Sequence, residues 1–126
     1  MKTTIIILTI LVIIAILNTC VGSFIHTGIH ELLPHINDAK SALRAGNLEE
    51  ATVHVHILKE KWDKKESIWE AFVNHEESEH VETLLTRVEA MLTAGTPELI
   101  LPELEELEFF FEHMDDMQKF MPENIF

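Results

Sequence analysis

The strongest constraint on this chain is an uncharged apolar run near its start, from Thr3 to Val21. Eleven Ile, Leu or Val residues lie between Ile5 and Leu17, and all 22 acidic residues come later. A helix of about 20 mostly apolar residues crosses the roughly 30 Å of hydrocarbon in a bilayer. The sequence therefore predicts an N-terminal membrane anchor at residues 1–23, inserted through residues 3–23.

The charges beside this run predict its orientation. Lys2 and the terminal amine are the positive charges on its short side, and such charges stay in the cytoplasm. We expect a single-pass signal-anchor in the cell membrane, with a cytoplasmic N-terminus and the C-terminal domain outside. Two alternatives stay open: cleavage at the small residues Cys20 and Gly22, and lipidation of Cys20.

The remainder of the chain is strongly acidic. Residues 24–126 contain eight Lys or Arg against 22 Asp or Glu, which excludes nucleic acid as a partner. Cys20 is the only cysteine, so one chain has neither a disulfide framework nor a cysteine-based zinc site. About a hundred residues suit one domain. We expect an extracytoplasmic helical bundle at 24–120 and a C-terminal tail at 121–126.

Four apolar stripes follow the anchor, each with the three- and four-residue steps of a helix. Gly46 and Gly95 can end helices in a left-handed conformation. Asn47 with Glu50 offers a capping box, and Thr96 before a proline a helix start. The stripes are Ile25, Ile29, Leu32, Ile36, Ala39, Leu43; Leu48, Ala51, Val55, Leu58, Trp62, Trp69, Phe72, broken by Lys65; Val81, Leu84, Leu85, Val88, Met91, Leu92; and Ile100, Leu104, Leu107, Phe111, Met114.

These stripes predict an all-α fold, in which the N-terminal transmembrane helix is followed by an antiparallel four-helix bundle of two helical hairpins. Pro34 and Pro102 each remove a backbone donor and predict a kink. With Gly22 and Gly28 as flexible points, the first helix is expected in two pieces. A shift of 49 residues superposes the two hairpins, which fits either an internal duplication or two similarly patterned hairpins.

The sequence offers little catalytic chemistry. His75 and His80 are five apart, whereas a zinc-protease helix needs histidines four apart to share a face. His26 and His30 are four apart and can share a metal ion, with His35 nearby. Solvent-facing histidines beside glutamates are nevertheless common, and nothing closes a coordination shell. We expect no enzyme activity, no metal site and no cofactor.

The aromatic residues are interpreted in two ways. Trp62 and Trp69 share one helix face at heptad spacing, which favours core over a ligand groove. Phe109, Phe110 and Phe111 are adjacent, so they cannot all face the same side of a helix. We therefore expect at least one of them to be exposed, or covered by the segment next to the anchor, by the tail from Met121 to Phe126 or by another subunit. Phe109 and Phe110 are the candidates for a partner surface, and the alternative is simple burial within the chain.

A longer pattern resembles a known family. It runs from Trp62 through Ser67-Ile68-Trp69 and His75-Glu76-Glu77 to Arg87-Val88. This order resembles a group of small bacterial membrane proteins catalogued as domain of unknown function 4363, and the resemblance covers nearly the whole chain. It implies an anchored helical architecture and carries no activity. Ser78 departs from the pattern, which has an apolar residue there.

The resemblance also singles out His75, Glu76, Glu82 and Arg87. We hypothesise that Arg87 pairs with Glu76 or Glu82 and holds the two hairpins in register; the alternative is that all four are solvated. Together these observations predict a membrane-anchored, non-catalytic module that binds a protein partner or its own copy, or serves a structural role. The alternative is a small-ligand or metal-ion sensing domain that acts with another chain.

Overall fold

A computed structural model describes the backbone of residues 1–123 and the side chains of residues 1–119. The chain forms four α-helices: α1 (Lys2–Arg44), α2 (Leu48–Phe72), α3 (His75–Ala94) and α4 (Pro97–Glu123). Residues 1–123 contain no strand, so the all-α prediction is confirmed. Of the predicted tail at 121–126, the first three residues belong to α4 and residues 124–126 lie outside the described residues.

Helix α1 combines the predicted anchor and the first bundle helix without a break. The expectation of two pieces was therefore wrong. Pro34 removes one backbone donor, but Leu32 and Ile36 on either side are fully buried and hold the helix in place. Gly28 is also buried and packs against Trp69, so it is no hinge. α4 likewise continues through Pro102.

The two turns at the ends of α1 and α3 have the same geometry, 49 residues apart. Gly46 has φ of 74° and Gly95 has φ of 69°, the left-handed region that favours glycine. The amide of Gly46 donates to the carbonyl of Leu43, and that of Gly95 to the carbonyl of Leu92. With the equivalent bonds from Asn47 to Ala42 and from Thr96 to Met91, both turns are Schellman motifs.

The starts of α2 and α3 are capped by asparagine. The side-chain oxygen of Asn47 accepts from the amide of Glu50 at 3.1 Å, and its Nδ2 donates to Glu50 Oε2 at 2.9 Å, which confirms the predicted pairing. The side chain of Asn74 accepts from the amide of Glu76 at 3.3 Å. Such caps stabilise a helix by about 1 kcal/mol.

A single core contains residues from all four stripes. Its centre is aromatic: the rings of Trp62 and Trp69 meet edge to face with centroids 5.4 Å apart, and both contact Phe111. Phe72, the last residue of α2, was expected in the stripe but is 59% exposed. The other buried apolar residues of the main cluster are Ile25, Ile29, Leu32, Ile36, Ala39, Val55, Leu58, Val81, Leu84, Leu85, Val88, Ile100, Leu104, Leu107 and Met114.

The helices form a bundle in which each packs mainly against two others. α1 contacts α2 and α4, and α3 contacts the same two helices from the other side. The N-terminal part of α1 lies apart from this core, since every residue from Met1 to Cys20 is exposed. This part is long and apolar enough to cross a membrane.

We predict that Gly28→Ala destabilises the bundle. A Cβ atom at Gly28 would lie 3.1 Å from Trp69 Cζ2, and Trp69 cannot move away because Trp62 and Phe111 pack against it. The free energy of unfolding should fall by about 1–3 kcal/mol, measured by thermal melting of the full chain in detergent micelles.

Gly22→Ala is the matched control, since the nearest atom to its Cβ would be Gln118 Oε1 at 3.7 Å. This is an ordinary contact, and alanine is the better helix former by about 1 kcal/mol. Equal melting temperatures for the Gly28 and Gly22 variants would contradict the close packing of α1 against α2.

Candidate functional site

The clearest polar constellation lies just beyond the anchor, between α1 and α4. Asp115 on α4 is only 6% exposed. Its two carboxylate oxygens face two imidazoles of α1: His26 Nδ1 is 2.5 Å from Oδ1, and His30 Nε2 is 3.3 Å from Oδ2. Lys119 Nζ lies 3.4 Å from Oδ2. The predicted His26–His30 pair is therefore brought together, with a carboxylate that the sequence pattern did not reveal.

Electrostatics favour the ionised form of Asp115. Burial by itself raises the pKa of its carboxyl, but the hydrogen bonds and charges of His26 and Lys119 outweigh burial and lower the pKa below its ordinary value of 3.8. The hydrogen bond and charge of Asp115 in turn raise the pKa of Lys119. The cluster thus ties α4 to α1 at the point where α1 enters the bundle.

A second cluster joins α1 to α2. One ring nitrogen each of His35 and His54 and one oxygen of Asp38 lie within 4.8 Å of one another. His54 Nδ1 is 3.9 Å from Asp38 Oδ2, too far for a hydrogen bond. The Nδ1 atoms of both histidines are buried without a hydrogen-bond partner.

The surroundings of this second cluster disfavour the charged form of His35. Burial lowers the pKa of His35, and the nearby Lys61 and His54 lower it further, while the charge of Asp38 acts in the opposite direction. An open cavity of about 350 Å³ lies beside it, lined in part by Asp38, Glu50 and His54. Sequence inspection missed this cluster because His35 and His54 are 19 residues apart, on different helices.

A third cluster consists of three acidic side chains, and the ammonium group of Lys59 lies among them. Asp63, Glu66 and Glu82 lie close together, and Lys59 Nζ is 2.6 Å from Asp63 Oδ1 and 2.8 Å from Glu82 Oε1. Burial lowers the pKa of Lys59, but the hydrogen bonds to Asp63 and Glu82 outweigh this and raise it. Burial and the neighbouring carboxylates Glu82 and Glu70 raise the pKa of Glu66.

Arg87 pairs with a residue that the sequence hypothesis did not name. Its Nη1 is 3.6 Å from Glu103 Oε2, so it links α3 to α4, whereas Glu82 pairs with Lys59. Helix rotation explains the difference, because Arg87 faces α4 and Glu82 faces α2. Glu76 is exposed.

His75 is exposed as well, and its Nδ1 is 3.6 Å from Glu70 Oε1.

The aromatic candidates divide between core and surface. Trp62 and Trp69 are 0% and 1% exposed and line no groove. Phe110 is partly buried, and its ring meets that of His80 at 5.0 Å. Phe109 is 69% exposed and stacks on His113 with centroids 6.2 Å apart. Of the two predicted surface phenylalanines, Phe109 alone is a large exposed side chain.

Comparison with known proteins gave one family. The family described as "Domain of unknown function (DUF4363)" matches residues 19–125. No curated protein and no solved structure matched the chain.

We predict that Asp115→Asn destabilises the protein in a pH-dependent way. Loss of the charge-assisted hydrogen bonds should lower the free energy of unfolding at neutral pH by about 1–3 kcal/mol. Because the folded-state pKa of Asp115 is lowered, its contribution is complete above 3.8 and disappears as the pH falls below that value. The gap in melting temperature between wild type and variant should shrink accordingly.

Asp116→Asn is the control for this prediction. Its side chain is 64% exposed, and its Oδ1 lies 3.5 Å from Lys119 Nζ, so the melting temperature should hardly change. A gap for Asp115→Asn that persists unchanged in acid would exclude the carboxylate's charge as its source.

Proposed function

The chain belongs to the family described as domain of unknown function DUF4363, and we propose that it is a single-pass bacterial membrane protein whose helical bundle lies outside the cytoplasm. In this proposal the bundle is a non-catalytic interaction or structural module. It binds a partner protein or a second copy of itself, and the anchor places it at the membrane surface.

The observation that carries this proposal is the change of environment along α1. Its residues from Lys2 to Cys20 are exposed, whereas Ile25, Ile29 and Leu32 on the same helix are at most 1% exposed. Isolated exposed apolar residues are ordinary, but an apolar run of this length needs a lipid environment. Val21 packs against the core, which supports a retained anchor, since cleavage after Gly22 would remove it.

The ion pairs between helices support an antiparallel arrangement. Along α1 the paired residue numbers rise while those on the contacting helix fall, and the same order holds for α3 with α2 and with α4. The pairs are His26–Asp115, Lys40–Glu108 and Arg44–Glu105 for α1 with α4; Glu31–Lys65 and Asp38–His54 for α1 with α2; Lys59–Glu82 and His56–Glu89 for α2 with α3; and His80–Glu106 and Arg87–Glu103 for α3 with α4.

The proposed partner surface lies on the outer side of α4. Phe109, His113 and Met117 are spaced four residues apart and share one helix face, and Phe109 and Met117 are 69% and 46% exposed. Exposed carboxylates, including Glu112 and Asp116, flank this strip. A partner with an apolar centre and basic edges would fit it, and α4 would then be the binding helix.

Ligand or metal sensing in concert with another chain is the second candidate. The observation that favours this second candidate is the presence of two histidine–carboxylate clusters on α1. The exposed residues of α4 do not bear on it.

The proposed topology predicts which introduced cysteines can be labelled from outside the cell. Cys20 is the only cysteine, so a Cys20→Ser background allows single-site labelling. In that background Ser67→Cys, at an exposed position of α2, should react with a membrane-impermeant maleimide in intact cells. Thr3→Cys should react only after lysis.

Labelling of Ser67→Cys only after lysis would refute the external location. The intact mass of the membrane-extracted wild-type chain distinguishes a retained anchor from cleavage or lipidation.

We predict that a photo-crosslinker placed at Phe109 captures one discrete partner in cells, either another protein or a second copy of the chain. The matched control is Val53, an exposed apolar residue on α2 with 52% exposure, where no such product should form. The absence of a product at Phe109, or the same products at both positions, would contradict a partner surface on α4.

A further inference from the structure

The three clusters of histidine or carboxylate side chains differ in the hydrogen bonds and ion pairs that their polar atoms make. In the first cluster, Asp115 bonds directly to two imidazoles. In the third, the ammonium of Lys59 lies among the carboxylates. In the second, two buried imidazole nitrogens, on His35 and His54, have no hydrogen-bond partner among the described side chains of residues 1–119. A buried polar atom without a partner calls for an explanation, and a bound ion is one that fits two histidines and an aspartate.

We propose that His35, Asp38 and His54 bind one divalent transition-metal ion of the zinc or copper class, bridging α1 and α2. This inference goes beyond the interaction role proposed above. It holds whether or not α4 binds a partner.

The spacing of the ligands supports this assignment. His35 and Asp38 are three residues apart, so they lie on one side of α1, and His54 approaches from α2. Zinc binds imidazole nitrogen at about 2.0–2.1 Å, which places ligands of a tetrahedral site about 3.3 Å apart. The 3.9 Å between Asp38 Oδ2 and His54 Nδ1 is about 0.6 Å longer than this ligand separation, and the three ligand atoms all lie within 4.8 Å of one another.

The first cluster is less suitable for a metal despite its similar composition. His26 Nδ1 and Asp115 Oδ1 are already 2.5 Å apart, so a metal ion would have to separate a formed hydrogen bond. The nitrogen atoms of His35 and His54 give up no such bond. This contrast assigns the metal to the second cluster.

Glu50 lies near the other ring nitrogen of His54, at a distance too long for a hydrogen bond in this structure. Its Oε1 lies 3.9 Å from His54 Nε2, on the opposite side of the ring from Nδ1. A metal-binding histidine commonly donates its other N–H to a carboxylate, which fixes the ring's orientation. Glu50 is itself held in place, because Asn47 Nδ2 donates to its Oε2 at 2.9 Å.

The ligand types and the open side of the site define the metal class. Imidazole nitrogens favour zinc, copper or nickel over calcium and magnesium, which prefer oxygen ligands. The cavity beside Asp38, Glu50 and His54 leaves room for water at a fourth position. Three protein ligands with a water molecule at the fourth position is a tetrahedral coordination that zinc adopts in proteins.

Calorimetric titration of the full chain in detergent micelles with Zn²⁺ tests this proposal, and titration with Mg²⁺ is the negative control. The wild type should bind one Zn²⁺ and no Mg²⁺ at the same concentration. His54→Gln should weaken zinc binding by about 100-fold or more, since even loss of an outer carboxylate partner costs about 10- to 100-fold. Glu50→Gln should fall within that smaller range.

His56→Gln is the matched control, because His56 lies two residues along the same helix with its side chain 67% exposed. It should bind zinc as the wild type does, and so should the double variant His26→Gln/His30→Gln. Asp38, whose side chain is 58% exposed, provides a ligand variant that leaves the core untouched. If His35→Gln lowers the melting temperature, Asp38→Asn still tests the site, because it should weaken zinc binding in a protein that remains folded.

Two results would overturn the proposal. One is unchanged zinc affinity in both His54→Gln and Asp38→Asn. The other is loss of zinc binding in His26→Gln/His30→Gln, which would place the ion in the first cluster instead.

Discussion

The structure depends on α1, a continuous helix that is exposed in its N-terminal part and packs one face into the bundle core further on. Its first part is uniformly apolar and exposed, and from Ile25 onward one stripe of the same helix is fully buried. Both α2 and α4 pack on that stripe, whereas α3 reaches the bundle through them. The buried contact of Gly28 with Trp69 further fixes α1 against α2. The segment that is long and apolar enough to cross a membrane and the first helix of the core are therefore parts of one continuous helix.

Acidic residues far outnumber basic ones in this chain, and three of its lysines lie between helices, where each pairs with a glutamate. Lys40 pairs with Glu108 between α1 and α4, Lys59 with Glu82 between α2 and α3, and Lys65 with Glu31 between α1 and α2. Each of these lysine side chains is less than one-fifth exposed.

Helical periodicity predicted the core because burial repeats with the turn of the helix. Ile36, Val55, Leu85 and Leu104 are all fully buried where their stripes placed them. Lys65 looked like a break in a stripe, yet it lies at the core's edge and extends to Glu31. Ser78 is buried with its hydroxyl unpartnered, which explains why an apolar residue suits that position. Both prolines lie inside continuous helices, so the loss of one backbone donor did not divide α1 into two pieces.

Partners of charged side chains were harder to predict, because they depend on how each helix is rotated against its neighbours. Arg87 therefore meets Glu103 rather than Glu82, and His35 meets His54 from another helix. Both histidine clusters nevertheless use α1, with His26 and His30 facing α4, and His35 and Asp38 facing α2. Both clusters therefore lie on the helix whose N-terminal part is long and apolar enough to cross a membrane.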